Sequence, residues 1–387
     1  MKRKLLWAAG LLTVAAAGFF TLAPGITENS MNKVAGVTRP VSDRAAKLHQ
    51  TLFIADLHSD TLLWKRGLLD RSTRGQVDLP RLEDGNVALQ VFSSVTKTPR
   101  GMNYDHNSGD TDSITLLSFA QLQPPRTWTS LAERSLYHAQ KMDAAVKSSG
   151  GHLIAIRTRA DLVQLLARRG KGEKVTGALF SVEGLHNLEG NAVNLQRLYD
   201  AGLRMAGITH FFDNELGASM HGVSHAGLTP FGREMVRAME ARGIIVDVAH
   251  LSHTGVAEVL AMATKPVVSS HGGVQATCKG NRNLTDEEVK GIAKTGGVVG
   301  IGYWPDAVCA NDAAAIAKAI LHVRDVAGID YVALGSDFDG AVTTPFDTSG
   351  VAQVTQALID AGLSDQDIAK VMGGNVARVL MQVLPEA

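Results

Sequence analysis

Phe-Ile-Ala-Asp-Leu-His-Ser-Asp, residues 53–60, is the stretch from which the fold and chemistry of this sequence are best worked out. It is an apolar run, typical of a buried strand, that stops at His58 and Asp60. Residues i and i+2 of an extended chain point to the same face. A nitrogen of His58 and an oxygen of Asp60 can therefore reach a common point past the strand end, and such a pair suits a divalent metal ion. A His-x-Asp pair alone is weak evidence, because a strand-end histidine more often has a structural role.

Seven further runs with strand character follow this one: Val87–Val95, Val175–Val182, Leu203–Thr209, Gly243–Ala249, Pro266–Ser270, Gly297–Tyr303 and Tyr331–Gly335. Amphipathic segments of helical period separate most of them: Leu131–Lys147, Asp161–Arg168, Ala192–Ala201, Gly227–Arg242, Gly255–Ala263, Asp286–Lys294 and Ala313–Val326. Nearly continuous apolar strands that alternate with helices predict a parallel sheet covered by helices. Eight such units predict an α/β fold of the (β/α)8 TIM-barrel type.

A doubly wound open sheet is the alternative fold. It is disfavoured because the first strand lacks the Gly-x-Gly-x-x-Gly turn of a dinucleotide site. Thr96–Thr129 is the longest irregular piece, and on the catalytic face of a barrel it could act as a lid or rim. Ser364–Val383 reads as a closing helix pair.

The N-terminal residues have the composition of an export signal. Lys2, Arg3 and Lys4 precede an uncharged stretch from Leu5 to Ala23. Residues 1–25 are therefore interpreted as a signal peptide, or as a retained membrane anchor, that lies outside the fold. Residues 26–42 are interpreted as a polar linker and residues 43–387 as a single domain that begins with a short helix, Asp43–Thr51. The expected location is exported, either periplasmic or attached to the outer side of a membrane.

Overall composition excludes some partners. Lys+Arg and Asp+Glu both number 38, so no net charge favours nucleic acid. Cys278 and Cys309 are the two cysteines of the sequence, and the simplest interpretation is two unpaired thiols, with one bridge after export as the alternative. The sequence leaves homodimer formation and membrane attachment open.

Acids and histidines stand at the ends of most predicted strands. Besides His58 and Asp60, they are Glu183, His210, His250, His271 and Asp337, with Asp339 close by. The carboxyl ends of barrel strands share one face, so these residues should converge. Three histidines with carboxylates and no thiolate suit zinc. His58, Asp60, His250 and His271 are too many ligands for one zinc that keeps a water position open, and with Glu183 as a bridge they divide into two metal sites.

In seven motifs, the sequence from about Phe53 to Leu380 resembles the membrane dipeptidase (renal dipeptidase) family of the amidohydrolase superfamily. The motifs are Asp-x-His-x-Asp (56–60), Glu-Gly-x-His (183–186), Ile-Thr-His with a following Asn (208–214), Asp-Val-Ala-His (247–250), Ser-His (270–271), Arg-Asn (282–283) and Gly-x-Asp-Phe-Asp-Gly (335–340). Leu57 and Leu185 depart from the family, which often has Gly at these positions, and this puts the width of the pocket in doubt.

The resemblance implies a role for each site residue. His58 and Asp60 would bind one zinc ion and His250 and His271 a second, with Glu183 bridging both. His210 would polarise the substrate carbonyl, Arg282 would hold a substrate carboxylate, and Asp337 would transfer the proton.

The expected function is a zinc-dependent dipeptidase with two Zn²⁺ per chain. It would hydrolyse short peptides that carry a free C-terminal carboxylate, through a hydroxide that bridges the metals. A planar, bidentate guanidinium such as that of Arg282 suits a free carboxylate. The alternatives are another binuclear amidohydrolase acting on a lactone, cyclic amide or phosphoester, and an inactive exported binding protein.

Overall fold

The computed structural model describes residues 2–386, and most of its short strands belong to one sheet. The strands are β1 (Lys33–Val34), β2 (Ile54–Asp56), β3 (Val87–Phe92), β4 (Leu153–Ala155), β5 (Thr176–Val182), β6 (Leu203–Gly207), β7 (Ile245–Asp247), β8 (Val268–Ser269), β9 (Val298–Ile301), β10 (Val332–Leu334) and β11 (Thr343–Thr344). Their order is β3-β2-β10-β9-β8-β7-β6-β5, all neighbours are parallel, and β3 also pairs with β5, which closes a barrel of eight strands. The predicted (β/α)8 fold is thereby confirmed.

The helices that surround the barrel are α1 (Lys2–Met31), α2 (Asp43–Thr51), α3 (Leu79–Asp84), α4 (Ile114–Ala120), α5 (Arg126–Thr129), α6 (Leu131–Ser148), α7 (Arg159–Gly170), α8 (Val193–Asp200), α9 (Pro230–Arg242), α10 (His253–Met262), α11 (Asp286–Lys294), α12 (Pro305–Val308), α13 (Ala313–Ala327), α14 (Ala352–Asp360), α15 (Asp365–Ala369) and α16 (Asn375–Val383). Several begin at side-chain caps that the sequence supplies. Thr158 and Thr285, for example, each start a capping box, at α7 and α11.

The barrel strands are buried on both faces. Successive residues of a strand point in opposite directions, so Ile245 packs into one apolar cluster and Val246 into another. This explains why the strands appear in the sequence as continuous apolar runs. All eight predicted runs contain a barrel strand, whereas β4, which adds to the outside of β5, was missed.

The long segment after β3 is more regular than the sequence predicts. Thr96–Thr129 was interpreted as irregular, but it contains α4 and α5. Both are short helices among turn residues, so their periodicity spans too few residues to be recognised in the sequence.

The end of α1 is part of the folded domain. The sequence assigns residues 26–42 to a linker, but α1 continues to Met31 and β1 pairs with β11. The carboxylate of Glu28 is buried, 2.6 Å from Nε of Arg66 and 3.4 Å from Nε of Arg74. Asn32 Oδ1 accepts a hydrogen bond of 2.8 Å from the backbone N–H of Ala341. These contacts join the N-terminal segment to the barrel.

No helix within residues 2–386 combines the length and the apolar character that crossing a membrane requires.

Cys278 and Cys309 form a disulfide bond, with their Cα atoms 5.2 Å apart. The expectation of two unpaired thiols was therefore wrong, and the alternative of one bridge is what the structure has. The loops after β8 and β9 bring the two residues together, and their spacing of 31 residues gives no sign of this proximity in the sequence.

We expect Glu28→Ala to destabilise the protein, because it leaves the buried Arg66 guanidinium without one of its acceptors. The free energy of unfolding should fall by about 1–3 kcal/mol in a urea titration. Asp365→Ala is the matched control, since it breaks an exposed ion pair with Arg44 and should have almost no effect. Equal, negligible effects of the two substitutions would show that α1 does not contribute to the folded domain.

Candidate metal centre

The predicted ligands lie together at the carboxyl ends of the barrel strands, around the carboxylate of Glu183. Glu183 Oε1 is 2.9 Å from Nε2 of His250 and 3.1 Å from Nε2 of His271. Glu183 Oε2 faces the other side, 3.7 Å from Nε2 of His58. One oxygen therefore faces each half of the predicted ligand set, which is the arrangement that a bridging carboxylate needs.

The half that contains His58 also includes two further carboxylates. His58 Nε2 is 3.5 Å from Asp60 Oδ1 and 3.9 Å from Asp337 Oδ1. These three residues, like His58 with Glu183 and His271, each offer one ligand atom within 4.8 Å of the others. Within residues 2–386, neither His58 Nε2 nor Asp60 Oδ1 has a hydrogen-bond partner, although both are buried. Buried polar atoms without partners are costly, and a cation among them would satisfy them.

The other half is oriented by residues behind it. Asp247 accepts hydrogen bonds from the backbone N–H of Ser270 at 2.9 Å and from its hydroxyl at 2.5 Å. The Ser270 hydroxyl is 2.8 Å from Nδ1 of His271. Because that hydroxyl donates to Asp247, it accepts from Nδ1–H of His271, which leaves the lone pair of Nε2 directed towards Glu183.

A similar support holds the end of β2. Asp56 accepts hydrogen bonds from the backbone N–H groups of His58 and Ser336, both at 3.0 Å.

Past β5, the chain turns at Gly184, where φ is +89° and a Cβ would lie 2.5 Å from Nδ1 of His186. Only glycine suits this position, directly after Glu183.

The protonation of the site follows from its burial. Burial lowers the pKa of His250 and of His271 well below that of free histidine, so both are neutral, the form that binds a metal. Burial, together with the carboxylates of Asp60 and Glu183, raises the pKa of Asp337 well above that of an ordinary aspartate. Asp337 is therefore the carboxyl group of the site that most readily holds a proton.

The cluster forms the floor of a cavity of about 470 Å³. His210 lines this cavity, with Nε2 3.5 Å from Glu183 Oε2. Arg282 is buried at one side, where its Nη2 donates to the carbonyl oxygen of His271 at 2.9 Å. Arg282 Nε has no hydrogen-bond partner within residues 2–386, and in this part of the chain the guanidinium contacts His250 and the His271 carbonyl but forms no ion pair with a carboxylate.

Some lining residues were missed in the sequence. Trp304 lies 5.7 Å from the Arg282 guanidinium and donates from its indole to the Tyr104 hydroxyl at 3.2 Å. Tyr104 belongs to the long segment after β3, so the expectation that this segment reaches the site was the signal that could have found it. Leu57 and Leu185 are fully buried and do not line the cavity, so these departures from the family do not narrow it.

Asp339, which the sequence places close to the strand-end residues, does not line the cavity. Its buried carboxylate accepts from the Thr61 hydroxyl at 2.7 Å and from the backbone N–H of Gln76 at 2.7 Å, and it forms an ion pair with Arg66.

Comparisons with known proteins show the family of this chain. Residues 42–385 match the model of the family described as membrane dipeptidase (peptidase family M19). The chain is 30% identical to dipeptidase aclJ of Aspergillus oryzae over 85% of this chain and 78% of that protein. It is also 30% identical to dipeptidase tcpJ of Claviceps purpurea, over 80% of this chain and 69% of that protein.

Two solved structures share the fold. The probable dipeptidase PvdM from Pseudomonas aeruginosa superposes with a TM-score of 0.73 at 20% identity, over 89% of this chain and 98% of that one. A metallo peptidase from Rhodobacter sphaeroides was solved with a phosphinate mimic of the dipeptide L-Ala-D-Ala. It superposes with a TM-score of 0.70 at 21% identity, over 86% of this chain and 99% of that one. The chain therefore belongs to the membrane dipeptidase family, peptidase family M19, and the predicted enzyme class, a metallo-dipeptidase, is confirmed.

Proposed function

We propose that this enzyme hydrolyses dipeptides that carry a free C-terminal carboxylate, with two zinc ions in the cluster around Glu183. The observation that carries the proposal is Arg282. It is a buried guanidinium beside the predicted ligands, with a free donor at Nε and no carboxylate partner in the described chain. A buried cation of this kind calls for an anionic ligand.

His58 and Asp60 would hold one ion, His250 and His271 the other, and Glu183 both. The separation of the two Glu183 oxygens supports this division. Nitrogen and oxygen donors without thiolate favour zinc or a similar ion. When bound, such a pair of ions activates a water molecule and polarises the scissile carbonyl.

The protein groups would then handle the proton and the charge. Asp337 would accept the proton of the attacking water and deliver it to the departing amine. His210, on the cavity wall, would stabilise the negative charge that develops on the carbonyl oxygen.

The size of the cavity also supports a small substrate. A volume of about 470 Å³ is within the range of small-molecule sites. The dipeptide mimic in the Rhodobacter sphaeroides structure is a ligand of the proposed class. A binuclear amidohydrolase for lactones, cyclic amides or phosphoesters is the other candidate, and it would not need the Arg282 carboxylate contact.

We also propose that the protein is exported. The N-terminal composition favours this location, and the Cys278–Cys309 bond supports it because disulfides persist in oxidising compartments.

We expect the chain of hydrogen bonds from Asp247 through Ser270 to His271 to raise the affinity for zinc, because it orients the imidazole of His271. Asp247→Asn should lower the affinity for zinc by about 10–100-fold, because the amide cannot accept in the same way from Ser270. Competition with a chelator measures the affinity. Ser270→Ala breaks the same chain and should give a similar loss, whereas unchanged affinity in both variants would show that the chain does not orient His271.

We expect Asp337→Asn to keep both metal ions and to lose nearly all turnover. The amide has the shape of the carboxylate but cannot accept and return a proton, so kcat should fall by roughly 10²–10⁴. Elemental analysis should give about two zinc ions per chain for both the variant and the wild type. Loss of metal in the variant would instead make Asp337 a ligand.

The substrate class is tested by removing the carboxylate from the substrate. A dipeptide and its C-terminal amide are identical around the scissile bond, but the amide lacks the charge that Arg282 would bind. A lost charge-assisted contact is worth about 1.5–3 kcal/mol, so kcat/KM for the amide should be lower by roughly one to two powers of ten.

Arg282→Met completes the test as a double-mutant cycle. It should impose a similar loss on the free dipeptide and little further loss on the amide, because both changes remove the same interaction. If the wild type hydrolyses acids and amides equally well, the dipeptidase proposal is wrong and the broader amidohydrolase alternative takes its place.

A further inference from the structure

A small apolar cluster, separate from the two clusters of the barrel, lines the same cavity. It consists of Leu63, Trp64, Val95 and Ile114, with Leu117 packed against them. All five residues line the cavity. The barrel and its helices have two other apolar cores, and this cluster belongs to neither. Because it faces the cavity, it is placed to contact a ligand.

The cluster lies next to the half of the site that contains His58 and Asp60. Leu63 and Trp64 follow Asp60 in the chain through one turn of 3-10 helix. Trp64 is fixed there by a hydrogen bond of 2.7 Å from its indole to the carbonyl oxygen of Asp339. Val95 forms a β-bridge with Glu183.

Arg282 lies next to the other half. Its Nη2 is 2.9 Å from the carbonyl oxygen of His271 and 3.4 Å from Nε2 of His250. The guanidinium and the apolar cluster therefore lie on different sides of the bridging carboxylate.

The end of α1 covers the apolar side. Thr27 and Met31 line the cavity, and Glu28 between them holds the helix to Arg66. Phe20 of α1 and Phe119 of α4 also contact each other, with ring centroids 5.3 Å apart. Met31 is 41% exposed, so its side chain is free to adjust to a ligand.

Charged residues that line the cavity are Asp60, Glu183, Arg282, Asp306 and Asp337. Apart from Arg282 itself and Asp306, which lies in α12, they belong to the predicted metal centre, and none belongs to the apolar cluster or to α1. The wall formed by these two elements is therefore uncharged.

We infer that this wall, with Met31 of the N-terminal helix as part of it, is the subsite for the side chain of the substrate's N-terminal residue, and that it selects large apolar side chains. The inference rests on the proposed function. If the substrate carboxylate is bound by Arg282 and the scissile carbonyl lies over Glu183, the N-terminal residue extends to the opposite side, where the apolar cluster lies.

The experiment compares dipeptides X-Ala, with Gly, Leu, Phe, Asp or Lys at X, on the full chain loaded with zinc. kcat/KM for Leu-Ala and Phe-Ala should exceed that for Gly-Ala and Asp-Ala by about ten-fold or more, the range expected for several methylenes in an apolar pocket. Met31→Asp should lower kcat/KM for Leu-Ala by about ten-fold and leave kcat/KM for Gly-Ala nearly unchanged. The ratio of kcat/KM for Lys-Ala to that for Leu-Ala should rise.

Two matched controls separate the wall from its surroundings. Ile26→Asp places the same charge on α1 at a residue that is 66% exposed and does not line the cavity. Leu117→Asp and Leu116→Asp form a second pair on α4, of which only Leu117 lines the cavity. Ile26→Asp and Leu116→Asp should keep the wild-type order of substrates, whereas Leu117→Asp should lower kcat/KM for Leu-Ala relative to Gly-Ala, as Met31→Asp does.

Equal kcat/KM across the X-Ala panel would overturn the inference, as would a Met31→Asp loss that is the same for Gly-Ala and Leu-Ala. Either result leaves the proposed function intact, provided that free dipeptides are still preferred to their amides. Failure to hydrolyse any dipeptide would overturn the proposed function, and this inference with it.

Discussion

The site depends on one carboxylate, that of Glu183, whose two oxygens face two groups of predicted metal ligands. Glu183 can turn one oxygen to His250 and His271 and the other to His58 only because closure of the barrel brings β2, β5, β7 and β8 to a common centre. An open sheet would spread these strand ends along a line. Closure of the barrel therefore explains why predicted ligands from distant parts of the sequence meet at one point.

This arrangement strains the backbone at the strand ends. His250, Asp337 and Asp339 are non-glycine residues with φ of 64°, 61° and 65°, a conformation that L-residues seldom adopt. Hydrogen bonds from the surrounding backbone to Asp247 and Asp56 hold these ends in place. Strain of this kind persists where the surroundings impose it, and here it coincides with residues that face the cavity or support it.

Much of the fold could be predicted because its signals are local. The eight barrel strands are buried on both faces. Their continuous apolar runs can therefore be recognised in the sequence without knowing which strands pair. The convergence of the strand-end residues then follows from topology, while their individual roles stay predictions. What was missed lacks a local signal: β4 has three residues, and the partners of Glu28, Arg66 and Arg74, lie 38 and 46 residues away along the chain.

Residues 26–42 show how composition can conceal a structural role. They are polar and follow a segment with the composition of an export signal, so the sequence predicts a linker. Yet the guanidinium of Arg66 bonds both Glu28 of α1 and Asp339, two residues beyond Asp337. The position of α1 is thus tied through one buried cation to the loop that carries the proposed proton carrier. The helix that covers the apolar side of the cavity and the loop of Asp337 and Asp339 are therefore joined by one buried network of ion pairs.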